Sequence, residues 1–320
     1  MADKSNLTRK EFLKLTGAVA GAGMLATSGF GSLANAQNST MASDLLHRPI
    51  HSTGEMIPAV GLGTALDFGT FASDAEFMLR RNAIETLFKE GGTVIDTSPT
   101  YRDAEIAVGR ALDELGARDK CFLATKISIS GKQAGVDQNV GSAKDLRTNK
   151  FELLQVHNLR DTEAHLETIN AMREAGQVRY VGITHFRENQ NAGLVEAIEK
   201  YKPDFIQCQY NLLDRSIENT ILPAAREHGV AIMINVPFAR GRLFGPTAGA
   251  GLEIPEWATD FGVDSWGKFF LKFILGHRDI TVIIPGTIHD YHVVDNIGAL
   301  RGRLPTTAER EKMAQVIADL

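Results

Sequence analysis

Phe151-Glu152-Leu153-Leu154-Gln155-Val156-His157 and Val178-Arg179-Tyr180-Val181-Gly182-Ile183-Thr184 are two short apolar runs, and residues 162–175 between them repeat apolar positions at helical spacing. Runs this rich in Val, Ile and Leu fit strands covered on both faces, with an amphipathic helix crossing from one to the next. The same unit recurs outward in both directions. Apolar runs lie at 60–64, 93–97, 121–127, 205–210, 230–236 and 280–285, and helical patterns at 75–89, 104–115, 189–200 and 219–227. Asp161 and Asp214 are placed to cap the helices that follow them, and Gly91, Gly116, Gly176 and Gly229 to end the helices before them. Eight strand-plus-helix units in roughly 260 residues predict an α/β fold of the closed (β/α)8 TIM-barrel kind. A doubly wound open sheet is the competitor. It carries a glycine-rich turn after its first strand, and Gly61-Leu62-Gly63 lacks the third glycine.

Length and composition allow one large barrel or two ordinary domains. The 320 residues are 43% hydrophobic with a net charge of −5, enough to bury a core and too little basic clustering for a nucleic-acid partner. Two cysteines make no disulfide framework. Cys121 and Cys208 fall on strands far apart around a barrel and are expected as inert small hydrophobes.

Residues 1–36 read as an address. Lys4, Arg9, Lys10 and Lys14 stand against Asp3 and Glu11, and no further charge occurs before Asp44. A soft Ala/Gly run then leads to Ala34-Asn35-Ala36, a small-residue cleavage site. Thr8-Arg9-Lys10-Glu11-Phe12-Leu13-Lys14 resembles the twin-arginine export motif, with Lys10 in place of the second arginine. The expectation is therefore an export-machinery partner, removal of 1–36, a single mature domain over 37–320, a periplasmic location and no stable membrane insertion after cleavage. The alternative is a tether that stays in place. Gly21-Ala22-Gly23 is rejected as a dinucleotide loop because no strand precedes it.

One interval breaks the rhythm. About 40 residues separate the seventh and eighth apolar runs, in a stretch rich in Gly and Pro; so long a connection is usually functional. It is expected to cover the barrel mouth, with 238–258 and the segment around Leu66 to Phe71 forming the substrate wall and Trp257 and Phe71 as wall residues.

In a closed barrel the chemistry sits at the C-terminal ends of the strands. Asp96 ends the second run with Tyr101 just beyond it, Lys126 ends the third, and His157 ends the fourth. A phenol ionises near pH 10, so it needs a stabilised phenolate to act as an acid–base catalyst. A neighbouring ammonium favours that anion, a carboxylate behind the ammonium holds it charged, and a neutral imidazole can orient a carbonyl oxygen. Asp96, Tyr101, Lys126 and His157 thus make a device for protonating a carbonyl as hydride arrives.

Here the chain resembles the aldo-keto reductase superfamily, over about residues 50–305. The resemblance rests on Val60-Gly61-Leu62-Gly63-Thr64, Asp96-Thr97-Ser98 with Tyr101, Ala124-Thr125-Lys126 and Gln155-Val156-His157-Asn158, with Gln207-Cys208-Gln209-Tyr210-Asn211 and Ile284-Pro285-Gly286-Thr287 in support. It implies an NAD(P)-dependent oxidoreductase that reduces an aldehyde or ketone, or oxidises the alcohol, with Tyr101 as general acid. It also implies a nicotinamide nucleotide across the barrel mouth, NADP expected and NAD the alternative. Thr184, His185, Gln207, Asn235, Gly286, Thr287, His292, Asp295 and Asn296 occupy the family's cofactor positions. His185 replaces an asparagine there, Asn235 an aromatic ring whose stacking Phe238 could take over, and Gly286 and His292 the usual cationic clamp. A non-catalytic nucleotide-binding or regulatory subunit on the same barrel is the second functional expectation. No metal is expected: His289 and His292 are spaced to share one, but no third ligand is evident.

Overall fold

The computed structural model describes residues 45–320, so the export signal predicted at 1–36 lies outside the described residues. The described chain begins with an antiparallel hairpin, β1 (His47–Pro49) and β2 (Met56–Pro58). Eight parallel strands follow in chain order: β3 (Leu62–Gly63), β4 (Val94–Asp96), β5 (Phe122–Ile127), β6 (Phe151–His157), β7 (Val178–Thr184), β8 (Phe205–Gln209), β9 (Ala231–Asn235) and β10 (Val282–Ile283). Parallel bridges from Val60 to Ile283 and from Gly63 to Gly286 join the two edges and close the barrel. That closure excludes the open sheet. It also explains two glycines: a Cβ on Gly61 would lie 2.5 Å from the Val94 carbonyl oxygen, and one on Gly63 would lie 2.6 Å from that of Ile284.

The helices are α1 (Asp74–Lys89), α2 (Ala104–Glu114), α3 (Lys132–Asp145), α4 (Thr162–Glu174), α5 (Asn191–Tyr201), α6 (Ile221–His228), α7 (Glu256–Thr259), α8 (Trp266–Leu275), α9 (Asp290–Gly298) and α10 (Thr307–Ala318). Ser73 caps α1, Ser265 caps α8, and Thr306 with Glu309 forms a reciprocal capping box on α10. Gly91, Gly116, Gly176 and Gly229 all follow helices with positive φ, as their positions predicted. The two aspartates behave otherwise. Asp161 has a left-handed backbone, and its carboxylate accepts from Gly131 N at 2.7 Å, tying neighbouring loops together instead of capping α4. Asp214 accepts from the Ser216 amide and hydroxyl, so it serves the short turn before α6.

The period of two along each strand sorts the core into two layers. Val94, Phe122, Leu153, Tyr180, Phe205, Met233 and Val282 form an inner cluster, which the hairpin plugs from below with Ile50 and Ile57. Ile95, Leu123, Leu154, Val181, Ile206, Ile232 and Ile283 point the other way into the helices. Burying each such side chain contributes about 1.5–3 kcal/mol. The interval after β9 is not one long loop: α8 closes its second half, with nine of ten residues buried. Cys121 and Cys208 are buried free thiols, and burial pushes both up. Among the described residues no helix is long and apolar enough to cross a membrane.

Candidate active site

The inner register that carries Val94, Phe122, Leu153, Phe205 and Met233 continues upward, two residues at a time, to Asp96, Lys126, Gln155 and His157, Gln207 and Asn235. The polar residues are thus the top layers of the same stack that makes the apolar plug. Lys126 and Asp96 are buried, and Lys126 Nζ lies 2.6 Å from Asp96 Oδ2 and 2.7 Å from the Thr97 carbonyl oxygen. The second carboxylate oxygen, Oδ1, accepts from Gln155 Nε2 at 3.0 Å and Gln207 Nε2 at 2.8 Å. Burial works to neutralise Lys126, but Asp96 and Tyr101 outweigh it and hold its pKa above the ordinary value. The ammonium is therefore charged at neutral pH.

Tyr101 stands on the loop after β4, with Lys126 Nζ 5.0 Å from its ring centre. Burial raises the phenol's pKa; Lys126 pulls it down both as a charge and as a hydrogen-bond partner, and the net shift is upward. Lys126 thus favours the anion, as expected, but burial outweighs it. Lys126 limits a rise that burial causes, so Tyr101 holds its proton at neutral pH with a cation beside it that favours the anion.

His157 faces Tyr101 edge-on, ring centres 6.2 Å apart. Burial, then repulsion from Lys126, His185 and Arg160, pushes its pKa down to about 3, so the imidazole is neutral. Its Nδ1 lies 2.5 Å from Ser128 Oγ and 3.5 Å from Ser98 Oγ. A serine hydroxyl donating to Nδ1 would place the ring proton on Nε2, free to be donated.

These groups open into a cavity of about 1200 Å³ across the barrel mouth. Asp96, Tyr101, His157, Thr184, Gln207, Asn235, Gly286, Thr287, His292, Asp295 and Asn296 all line it, while Lys126 lies beneath its floor. His185 does not line it. Its ring stacks on Phe186 at 5.6 Å and its Nδ1 accepts from the Arg187 amide, turned away by the backbone that aims Thr184 inward. Gln207 is already used at both ends: its nitrogen serves Asp96, and its oxygen accepts from Thr184 Oγ1 at 3.0 Å and Asn235 Nδ2 at 3.4 Å. Asn235 Oδ1 is buried without a hydrogen-bond partner. Thr287 Oγ1 and His292 Nδ1 are paired at 3.0 Å. Among the described residues no group of three or more His, Cys, Asp or Glu converges as a metal site.

Both predicted wall segments line the cavity, through Leu66, Asp67 and Phe68 and through Phe238, Phe244 and Ala248, but the two residues named for them do not. Trp257 packs on Phe261 and Phe269 away from the cavity, and Phe71 packs on Phe77. Trp266 and Phe68 line the cavity in their place, beside Phe238, Phe244 and Phe186. Phe238 packs edge-on against Phe244 at 5.1 Å. Sequence reasoning also missed Gln155 and Ser128, the partners of Asp96 and His157. The alternation that places Asp96 inward also selects Gln155; Ser128 lies past a strand end and carries no such signal.

A closed barrel with a protonated phenol beside a buried ammonium–carboxylate pair and a neutral imidazole opposite defines a site of the aldo/keto reductase type. The chain belongs to the Aldo/keto reductase family, whose model matches residues 59–312. It is 30% identical over 212 residues to the aldo-keto reductase YhdN of Bacillus subtilis (strain 168), covering 61% of this chain and 63% of that relative, so it spans less than two thirds of that protein. It is 25% identical over 228 residues to the NADH-specific methylglyoxal reductase of Escherichia coli (strain K12), covering 62% and 68%. Among solved structures, an aldo-keto reductase from Klebsiella pneumoniae in complex with NADPH superposes with a TM-score of 0.69 at 24% identity, over 85% of this chain and 96% of that one. That likeness is one of fold.

Proposed function

We propose that this chain is an NADP(H)-dependent carbonyl reductase, reducing an aldehyde or ketone or running the reverse alcohol oxidation. The observation that carries the proposal is the buried Lys126–Asp96 pair beside Tyr101, an arrangement with little purpose unless the phenol gives up its proton. The cavity fits a nicotinamide nucleotide on one specific point: Asn235 Oδ1 is a buried acceptor lacking a donor, and a carboxamide NH2 supplies one. Thr184 and Asn235 would hold that end. Gly286, Thr287, His292, Asp295 and Asn296 would hold the other.

When bound, the reduced nicotinamide supplies hydride to the carbonyl carbon. His157 donates Nε2–H to the carbonyl oxygen and orients it. Tyr101 gives the same oxygen its proton, Lys126 stabilises the phenolate left behind, and Asp96 keeps Lys126 charged and in place. Bound NADPH in the Klebsiella structure favours NADP(H), and the NADH specificity of the Escherichia coli relative makes NAD(H) the comparison to run.

Residues 1–36 are proposed as a twin-arginine-type signal engaging the export machinery, leaving a periplasmic domain of 37–320. That route carries folded protein, so the nucleotide is loaded before transport; the mass of the mature protein, with any nucleotide it retains, tests both points. The activity is tested by Tyr101→Phe. Carbonyl reduction should fall by about 10²–10⁴-fold, the weight of a lost general acid, while NADPH affinity stays unchanged. Undiminished turnover in that variant defeats the proposal.

A further inference from the structure

Arg80 is a buried cation with no acid beside it. Its side chain rises from α1 into the turn between β3 and α1, it is only 3% exposed, and none of its hydrogen bonds goes to a carboxylate. The carboxylates of Glu76 and Asp67 reach it only as more distant charges. Its guanidinium is satisfied by main-chain carbonyls. Nε donates to Phe68 O at 3.1 Å, Nη2 to Asp67 O at 2.6 Å and to Thr70 O, and Nη1 to Glu76 O at 2.7 Å. Three of these four acceptors belong to one turn, residues 66–70. A guanidinium presents its donors in a fixed planar fork, so it sets the relative positions of several carbonyls at once, which a lysine cannot do.

The turn so clamped is itself unusual. It begins at Leu66 with φ 67°, a left-handed backbone that a leucine rarely adopts, and Leu66, Asp67 and Phe68 line the cavity. Its far end is pressed against the segment that carries the phenol. A Cβ on Gly69 would lie 1.9 Å from the Tyr101 carbonyl oxygen. Asp103 N donates to Gly69 O at 3.2 Å, and Arg102 Nη1 donates to Thr70 Oγ1 at 2.6 Å. Arg102 and Asp103 are therefore hydrogen-bonded to the turn that Arg80 holds, and the Tyr101 backbone packs directly against it. Lys126, by contrast, is fixed from the strand side by Asp96 and Thr97. The phenol and the ammonium are thus positioned by separate supports, and only the phenol's support runs through Arg80.

We infer that Arg80 is a positioning residue for the reaction: through the turn at 66–70 it sets where the Tyr101 hydroxyl stands relative to Lys126 and His157. The inference rests on the proposed role of Tyr101 as proton donor. It goes further in assigning a function to a side chain that touches neither cavity nor reacting atoms.

The experiment compares wild type with Arg80→Met, Arg80→Lys and Thr70→Val. Displacing a reacting group by about 1 Å can cost about 10²-fold in rate, so Arg80→Met should lose about 10–100-fold in kcat. NADPH affinity, which depends on residues across the mouth such as Thr184 and Asn235, should stay within about twofold. Arg80→Lys should recover part of the loss, and Thr70→Val should show a smaller loss of the same kind. The second readout needs no turnover: the tyrosinate absorbance of Tyr101, isolated by subtracting the matching Tyr101→Phe protein, should move its midpoint by at least about half a pH unit in Arg80→Met. A merely structural arginine would lower thermal stability and leave that midpoint in place. If Arg80→Met does not fold, Arg80→Lys and Thr70→Val give the same two readouts. An unmoved midpoint with kcat within about threefold of wild type overturns the inference. An inactive wild type with a displaced midpoint instead defeats the reductase proposal and leaves the positioning role standing.

Discussion

Lys126 Nζ lies 2.6 Å from Asp96 Oδ2 with both side chains almost wholly buried. Taking two charges out of water is costly, and their attraction repays this only with good geometry and satisfied neighbours. Here the neighbours are Thr97 O, Gln155 and Gln207, which complete the pair's hydrogen bonding. Two well-packed apolar residues would fill this space at no greater cost. On the proposed function, the pair's value to the protein is the cation it maintains next to Tyr101.

Breaking the pair on either side should therefore be worse than removing it. Lys126→Met leaves Asp96 as an uncompensated buried charge and should cost about 3–5 kcal/mol of stability; Asp96→Asn strands the ammonium at similar cost. The double variant Asp96→Asn with Lys126→Met should be more stable than Lys126→Met alone, the non-additivity expected of contacting groups. All three should lose about 10²-fold or more in kcat. Urea unfolding and steady-state carbonyl reduction measure the two effects separately. Additive stability losses would show that the two residues do not act as a pair.

The cofactor end yields a binding prediction. Asn235→Ala removes a side chain whose Oδ1 has no partner within the protein, so the fold should lose little. NADPH affinity should fall by about 1 kcal/mol, roughly fivefold to tenfold, the net worth of one hydrogen bond. Trp266 lines the same cavity, and quenching of its fluorescence during an NADPH titration reads the affinity directly. An unchanged dissociation constant would mean that the nucleotide does not use Asn235.

The strands that build the site were legible because burial on both faces leaves an unbroken apolar run, and β6 and β7 occupy the predicted residues. The same logic places Asp96, Lys126 and His157 at strand ends, which is why three residues far apart in sequence could be assigned to one mouth. What stayed hidden lacked an apolar period. In α3 only Gly135, Asn139 and Ser142 are buried, so no hydrophobic stripe marks it. α8 fails in the opposite way, being apolar nearly all round within an interval rich in glycine. The hairpin strands are three residues each, too short for alternation to register. Arg80 was beyond reach for another reason: its partners are main-chain carbonyls, and no residue type in the sequence signals a carbonyl waiting for a donor.

Two buried groups make the stability of the fold depend on pH in opposite senses. His157 is pushed down to about 3 by burial and by Lys126, His185 and Arg160, against about 6.5 when unfolded. Between those values the unfolded chain binds more protons than the folded one, so this contribution is complete above about pH 6.5 and drains away as pH falls. Glu105 behaves in reverse. It accepts from Thr125 Oγ1 at 2.5 Å and Ser142 Oγ at 2.9 Å behind β5, and burial raises it to about 7. Between about pH 4.5 and 7 the folded chain binds the extra proton, so this contribution is complete at the acid end and is lost as pH rises. Over about pH 4.5–6.5 the two slopes offset each other, and wild type should be nearly flat there as far as these groups decide it. Glu105→Gln removes the falling limb, so its stability should climb with pH through that window by about 2–3 kcal/mol. His157→Gln removes the rising limb, so its stability should decline through the same window by a similar amount. Denaturant melts of the three proteins at half-unit pH steps test this. Parallel curves for wild type and Glu105→Gln would show that Glu105 titrates alike in the folded and unfolded chain.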